Sequence, residues 1–416
     1  MNIINKQNQI FFFSCLLMAS MIYSPYLLSV SMIALAVLCL TDIKFEAEAL
    51  SIEPDHEALK RLSRFWHYPV SMSLAIFFFI VLLSFWQTYD YGYWLARLRI
   101  KLPFLALPLV FIALPRFSER QVNGLLYVLL VILFLTSIGI GINYLLNYEE
   151  INLLLQQGHP IPTPRNHIRF SLLLAYGILS GGYLYYKNFR WRHAWESKVI
   201  LGITVFLFLF IHFLSVRTGL AALYIGILVL LVRHVYLSRK YLVGLTVLTG
   251  LFLLPILGYH TIPSFKAKVN YMRWDWKMYQ EGTGAEYADS GRLTSLNVGY
   301  GLFKAHPLFG VGAGNLRAET TRIFKEEYPE FKVPHVPHNQ FLFVMAGTGL
   351  AGLSLFLFAF FFPLFYHRNY RQPLLLGFYG IAFTSFMLEH TIENSVGVAF
   401  FCFFVLLWLN RMRKEE

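Results

Sequence analysis

The chain has 416 residues, of which 57% are hydrophobic, 18% aromatic and only 14% charged. Soluble globular proteins carry roughly 25% charged residues, so the composition excludes an ordinary soluble domain and defines an integral membrane protein. A net charge of +12 then belongs to basic anchors in cytoplasmic loops, and no nucleic-acid partner is expected.

Apolar runs at about 10–22, 25–41, 70–87, 102–114, 123–146, 168–186, 198–215, 218–234, 242–259, 339–366, 374–389 and 394–410 predict an all-α polytopic fold with about 12 transmembrane helices. The first two runs are divided only at Ser24-Pro25, and the seventh and eighth only at Arg217. The first run lacks a small-residue cleavage site and reads as a retained helix. Cys15, Cys39 and Cys402 sit inside apolar runs without metal-ligand spacing, which predicts buried packing. No internal repeat or linker divides the chain. Three segments follow: 1–259 with helices 1–9, a polar loop of amphipathic helices over 260–338, and 339–416 with helices 10–12 and a tail.

Lys and Arg set the orientation. With the N-terminus cytoplasmic, the inside loops hold Lys44, Lys60, Arg61, Arg64, Arg116, Arg120, Lys187, Arg190, Arg192, Lys198, Arg233, Arg239, Lys240, Arg368 and Arg371, and the tail adds Arg411, Arg413 and Lys414. The outer side then holds few: Arg97, Arg99 and Lys101, Arg165 and Arg169, and Arg217. Both termini are therefore expected in the cytoplasm, with the 260–338 loop outside. Outer basic residues break the inside-positive pattern and need a partner or a task.

In WLARLRIKLP, the alternating Arg97, Arg99 and Lys101 suggest one basic face if the segment is extended. They fit either lipid headgroups or a hold on a pyrophosphate. PTPRNHIRF sets Arg165, Asn166, His167 and Arg169 at a helix start, where free N–H groups and the macrodipole favour an anion. Capping and interface anchoring explain them equally well. Arg217, in HFLSVRTGLAAL, either snorkels between two helices or grips phosphate with its planar fork. No acidic residue lies near it in sequence, which favours an anionic ligand.

Within the polar loop, Ser290-Gly291-Arg292 precedes an amphipathic run (Leu293, Leu296, Val298, Leu302, Phe303) suited to a helix resting on the membrane face. Gly310, Gly312 and Gly314 superficially resemble a dinucleotide loop, but they lack the preceding strand and the spacing. Close backbone approach to a helix or ligand explains them better. His335 and His338, in PHVPHN, have no Asp, Glu or Cys in register for a metal, so none is expected. A neutral histidine at the outer face is either structural or a general base for a hydroxyl acceptor. Glu389 and Glu393 are membrane-edge carboxylates able to neutralise an arginine or orient His338.

VRTGLAAL with Arg217, SGRLTSLNVGYGLFKAHPLFGVGAGNL with Arg292, and HNQFLFVMAGTGLAGL with His338 together resemble the O-antigen ligase family, among lipid-linked oligosaccharide ligases and polymerases. The resemblance extends to the topology: twelve spans, cytoplasmic ends and a large periplasmic loop leading through His-Asn into the tenth span. It implies a GT-C-like glycosyltransferase of the bacterial inner membrane. Such an enzyme moves a glycan from undecaprenyl pyrophosphate to a lipid A-core or other glycan acceptor at the periplasmic face, without cofactor or metal. By motif match, His338 takes the general-base position and Arg217 and Arg292 the pyrophosphate-holding positions; Glu389 matches an acidic position more loosely. Arg97, Arg99, Lys101, Arg165, Arg169, His335 and Asn339 are further candidates for contact with substrate. A glycan polymerase or a ligase that loads protein uses the same donor and stays open. A transporter is less favoured, because transporters show repeats and mid-membrane charge, whereas here the polar residues gather on one side.

Overall fold

The computed structural model describes residues 6–46, 49–281 and 288–413. Lys414 of the expected basic tail, the side chain of Lys44 and residues 282–287 of the polar loop lie outside what it describes. The protein is an all-α membrane protein. Among the described residues, seven helical stretches are long and apolar enough to cross a bilayer: Pro69–Gln87, Glu119–Leu146, Glu196–Leu214, Arg217–Ser238, Tyr241–Thr261, Gln340–Arg371 and Ser395–Met412. Pro25–Leu40 and Pro373–Leu388 are apolar but shorter.

The helices that matter for the site are α1 (Lys6–Tyr23), α2 (Pro25–Leu40), α3 (His56–Ser63), α4 (Pro69–Met72), α5 (Ile76–Leu83), α6 (Tyr91–Lys101), α7 (Pro103–Ala113), α8 (Glu119–Leu146), α9 (Tyr148–Gln156), α10 (His167–Tyr186), α11 (Glu196–Leu214), α12 (Arg217–Ser238), α13 (Tyr241–Thr261), α14 (Pro263–Gln280), α15 (Ala288–Ala305), α16 (Leu316–Glu327), α17 (Gln340–Phe365), α18 (Pro373–Leu388) and α19 (Ser395–Met412). A small antiparallel hairpin, Thr41–Glu46 with Ala49–Pro54, follows α2. Most boundaries follow local chemistry. Ser24, Asp90, Ser118, Asn166, Asn339 and Asn394 each cap a helix by accepting a backbone N–H. Pro25, Pro69, Pro103, Pro263 and Pro373 open helices, where the missing N–H costs nothing.

α19 is the central helix: every residue from Gly397 to Asn410 is buried. Phe401 and Phe404 stack there against Phe360, Phe378 and Tyr176. α13 is the opposite case, apolar all round with only Gly258 buried, as suits a peripheral helix facing lipid.

α17 is broken at Gly349, with φ 65° and ψ −163°. The segment 307–312 fills the break: Val311 and Gly312 donate to the carbonyls of Ala346 and Gly347, while Leu350 and Ala351 donate to Pro307 and Leu308. The helix therefore loses its own bonds without leaving backbone groups unpaired. Gly310 makes this contact possible, because a Cβ there would lie 2.4 Å from the Gly347 backbone. The glycine cluster serves close backbone approach to a helix. At Gly349 the dihedrals belong to a region almost reserved for glycine, and a Cβ would lie 2.3 Å from Leu308. Gly349→Val is expected to destabilise by roughly 3 kcal/mol or more, combining backbone strain with overpacking. Gly301→Ala, with open space around it, is expected to be neutral or slightly stabilising. Thermal melts in detergent check both.

The amphipathic run on α15 packs on protein, contrary to a helix lying on the membrane face. Val298 and Leu302 join Leu316, Phe324, Phe343 and Ala346 in a cluster between α15, α16 and α17.

Candidate active site

One end of the bundle gathers the polar residues. α15 presents Gly291, Ser295 and Gly299 at four-residue intervals, hence on one helix face. The segment 335–338 lies along that face: a Cβ on Gly291 would meet the His335 ring at 2.9 Å, and one on Gly299 would meet Pro337 at 2.5 Å. Ser295 Oγ accepts from the His338 backbone N–H at 3.3 Å. The small residues after Ser290 thus let the chain seat His338 beside Arg292.

His338 Nδ1 lies 3.3 Å from Glu389 Oε2, and Arg292 Nη2 lies 2.9 Å from Glu389 Oε1. Glu389, just beyond α18, is buried and faces both neighbours. Burial alone pushes its carboxyl up, but the His338 hydrogen bond and the charges of Arg292 and Arg169 outweigh this and hold it below the usual carboxylate value. A carboxylate facing Nδ1 favours the tautomer with its proton there, leaving the Nε2 lone pair available.

Arg217 opens α12. Its Nη1 and Nη2 donate to Asp289 Oδ2 and Oδ1 at 2.6 and 2.5 Å, a bidentate fork. The sequence reading found no acidic partner because Asp289 is 72 positions away. Asp289 lies one turn before Arg292 on α15, so the two arginines share one locality. Asp275, fully buried on α14, fixes this turn by accepting from Ser290 Oγ and the Asp289 N–H. Burial pushes the Asp289 carboxyl up, yet Arg217, Arg292 and Lys268 together hold it below the ordinary value of 3.8. A depressed folded-state pKa stabilises above the unfolded value and fades as pH falls through the folded one. The melting gap between wild type and Asp289→Asn should therefore stay constant from about pH 8 to 5 and narrow only below roughly pH 4. A melting series across that range checks it.

The remaining candidates fall in distinct places. Residues 91–101 form a helix, α6, so Arg97, Arg99 and Lys101 do not share the single face that an extended segment would give them. Arg97 Nη1 donates to the Glu393 carbonyl at 2.8 Å. Lys101 Nζ donates to Ile392 O at 2.7 Å and Glu393 Oε1 at 2.6 Å. Arg99 is exposed. Asn339 caps α17 and donates to Met387 O at 2.9 Å, so both ends of its amide are engaged. The His335 ring sits 5.6 Å from that of His338. Arg165 and Arg169 line a neighbouring cavity.

Sequence reasoning missed Asp275, Asp289, Gln340 and His390. Gln340 donates to Glu393 Oε1 and accepts from Ile392 N, tying the 391–393 turn to α17. The only available signal was the clustering of polar residues at the ends of apolar runs. His338, Glu389 and His390 bring donor atoms within 4.8 Å of one another, near enough to hold a metal ion. His390 is neutral at ordinary pH, since burial above all pushes its pKa down to about 4. The cationic Arg292 already pairs with Glu389, which opposes a dication there.

The helical bundle thus carries a basic, histidine-bearing cluster at one end. Residues 172–357, a little under half of the chain, match the family model described as O-antigen ligase. No curated protein matches the chain. The matched segment contains Arg217, Asp289, Arg292 and His338, whereas Glu389 comes from outside it.

Proposed function

We propose that the protein is an inverting glycan ligase. It transfers a glycan from undecaprenyl pyrophosphate to a lipid A-core acceptor at the periplasmic face of the inner membrane. The observation that carries this reading is the Arg292–Glu389–His338 cluster beside the Arg217–Asp289 fork. It offers a base and an anion clamp within one locality.

In this mechanism Arg217 and Arg292 turn their guanidinium donors from carboxylate to the donor's pyrophosphate. They stabilise the charge that grows as the bond from the anomeric carbon to the phosphate oxygen breaks. His338 Nε2 takes the proton of the acceptor hydroxyl, whose oxygen attacks the anomeric carbon from the opposite side. Glu389 holds the imidazole and balances the imidazolium. Holding both lipid-anchored substrates at one bilayer face supplies the positioning advantage. No metal or nucleotide enters the scheme.

The test uses purified protein with a polyprenyl-pyrophosphate glycan and lipid A-core, in EDTA and without nucleotide. Full-rate formation of core-linked glycan with inverted anomeric configuration is expected. Lengthening of the lipid-linked donor without core modification would make the protein a polymerase, and transfer abolished by EDTA would bring a metal into the site.

A further inference from the structure

Beside the Arg292–Glu389–His338 cluster lies a second basic feature. A cavity of about 420 Å³ opens between the start of α2, the start of α10 and the start of α19, lined among others by Pro25, Arg165, Asn166, Arg169, Asn394 and Ser395. Arg169 is only 8% exposed. Its Nε and Nη1 are buried and meet no hydrogen-bond partner among the described residues. A guanidinium in that state is incomplete, because buried donors are satisfied almost without exception in folded proteins. Its nearest carboxylate influence is Glu389, which is already engaged by His338 and Arg292.

The backbone around it has the same polarity. α2, α10 and α19 are 16, 20 and 18 residues long, and all three begin at this cavity. Each helix start presents partial positive charge and N–H groups. Exposed Arg165 adds a second guanidinium, and no Asp or Glu among the described residues lines the cavity. Met21, Ile22 and Phe170 complete the wall with apolar surface. A small anion joined to an apolar body matches that lining.

We propose that this cavity binds the phosphate of a glycolipid acceptor, so that the protein holds two phosphate-bearing lipids at once. The identity of the lipid rests on the ligase reading above; the anion chemistry does not. In that reading Arg217 and Arg292 take the donor's pyrophosphate, and transfer requires a second lipid held at the same end of the bundle. Arg169 is the guanidinium there without a carboxylate partner of its own. It touches the acceptor's headgroup phosphate and acts through space on Glu389, placing the acceptor beside His338.

The test is equilibrium binding to the full chain in nanodiscs of zwitterionic lipid, with no transfer measured. The three probes are a bisphosphorylated diglucosamine lipid, an isoprenyl pyrophosphate and phosphatidylglycerol. Arg169→Gln is expected to weaken the diglucosamine lipid by about tenfold or more, the scale of hydrogen bonds to charged groups, and to leave isoprenyl pyrophosphate within roughly twofold. Arg217→Gln should give the reverse pattern, and Arg169→Lys should recover part of the loss. Arg165→Gln, at an exposed position, repeats the test with a smaller loss if Arg169→Gln does not fold. Weakening of isoprenyl pyrophosphate by Arg169→Gln would give the cavity to the donor and overturn the proposal. So would equal weakening of phosphatidylglycerol, or no change for any probe. If the expected binding pattern holds while no transfer is ever detected, the ligase reading falls and the phosphate site stands.

Discussion

Replacing His338 by alanine is expected to lower glycan transfer by about 10²- to 10⁴-fold, the usual contribution of a positioned general base. The donor's binding should be little changed, because Arg217 and Arg292 keep their places. In the free protein Arg292 retains Glu389 at 2.9 Å, so the alanine leaves no unpaired buried carboxylate before the donor arrives. The change therefore falls on the chemical step, in kcat rather than in the donor KM. Glu389→Gln separates positioning from proton transfer. An amide keeps a hydrogen-bonding group beside Nδ1 but removes the charge that selects the tautomer and steadies the imidazolium. A loss of roughly 10- to 100-fold is expected, again in kcat, and Glu389→Ala should lose more. Steady-state kinetics with both lipids varied checks the set. Wild-type turnover in His338→Ala would remove the general-base assignment.

A large stability effect is also expected at Lys101. Lys101 and Glu393 are each only 4% exposed at the side chain and approach to 2.6 Å. Burial pushes the Glu393 carboxyl up, but Lys101 first and Arg97 second bring it below the usual range. Lys101→Met leaves that carboxylate buried with Arg97 at 3.6 Å and Gln340 at 2.7 Å. Truncating one partner of a buried pair costs about 3–5 kcal/mol, and the surviving partners place this variant toward the lower end. Lys101→Met/Glu393→Gln should recover much of the loss.

The pH sign follows. Without Lys101, burial dominates and the folded-state pKa of Glu393 moves above its unfolded value. The variant then gains stability as pH falls and loses it as pH rises, and its deficit should be smaller at pH 5 than at pH 8. Melting curves at the two values check this. Because Lys101 and Gln340 also hold the backbone of Ile392, the turn carrying Glu389 and His390 loosens with them, and transfer should fall even where the variant stays folded.

Most of the architecture was legible as continuous apolar runs. α8, α11, α12, α13, α17 and α19 follow them closely, because a bilayer-spanning helix needs little beyond length and hydropathy. Arg292 and His338 were legible as motif residues, and Glu389 as a carboxylate out of place in an apolar setting. The use of the outer charges was less legible. Arg97, Arg99 and Lys101 share one face only if the segment is extended, but Asp90 caps this stretch as a helix, and Arg97 and Lys101 meet Glu393, nearly 300 positions away. Arg217 looked unpaired because Asp289 reaches it only through the packing of α15 on α14. Neither pairing has a local signature: each depends on tertiary distance and not on sequence spacing. The break in α17 was hidden for a related reason, since Gly349 and Gly310 signal it only once segment 307–312 is seen to supply the missing bonds.

The decisive measurement is a structure of the wild-type protein with an isoprenyl pyrophosphate bound. Pyrophosphate oxygens are expected within hydrogen-bonding distance of Arg217 and Arg292, with Asp289 and Glu389 displaced from them. The carbon on the terminal phosphate oxygen is expected to turn toward His338 Nε2. A pyrophosphate bound elsewhere in the bundle, with the Arg217–Asp289 and Arg292–Glu389 pairs intact, would contradict the mechanism.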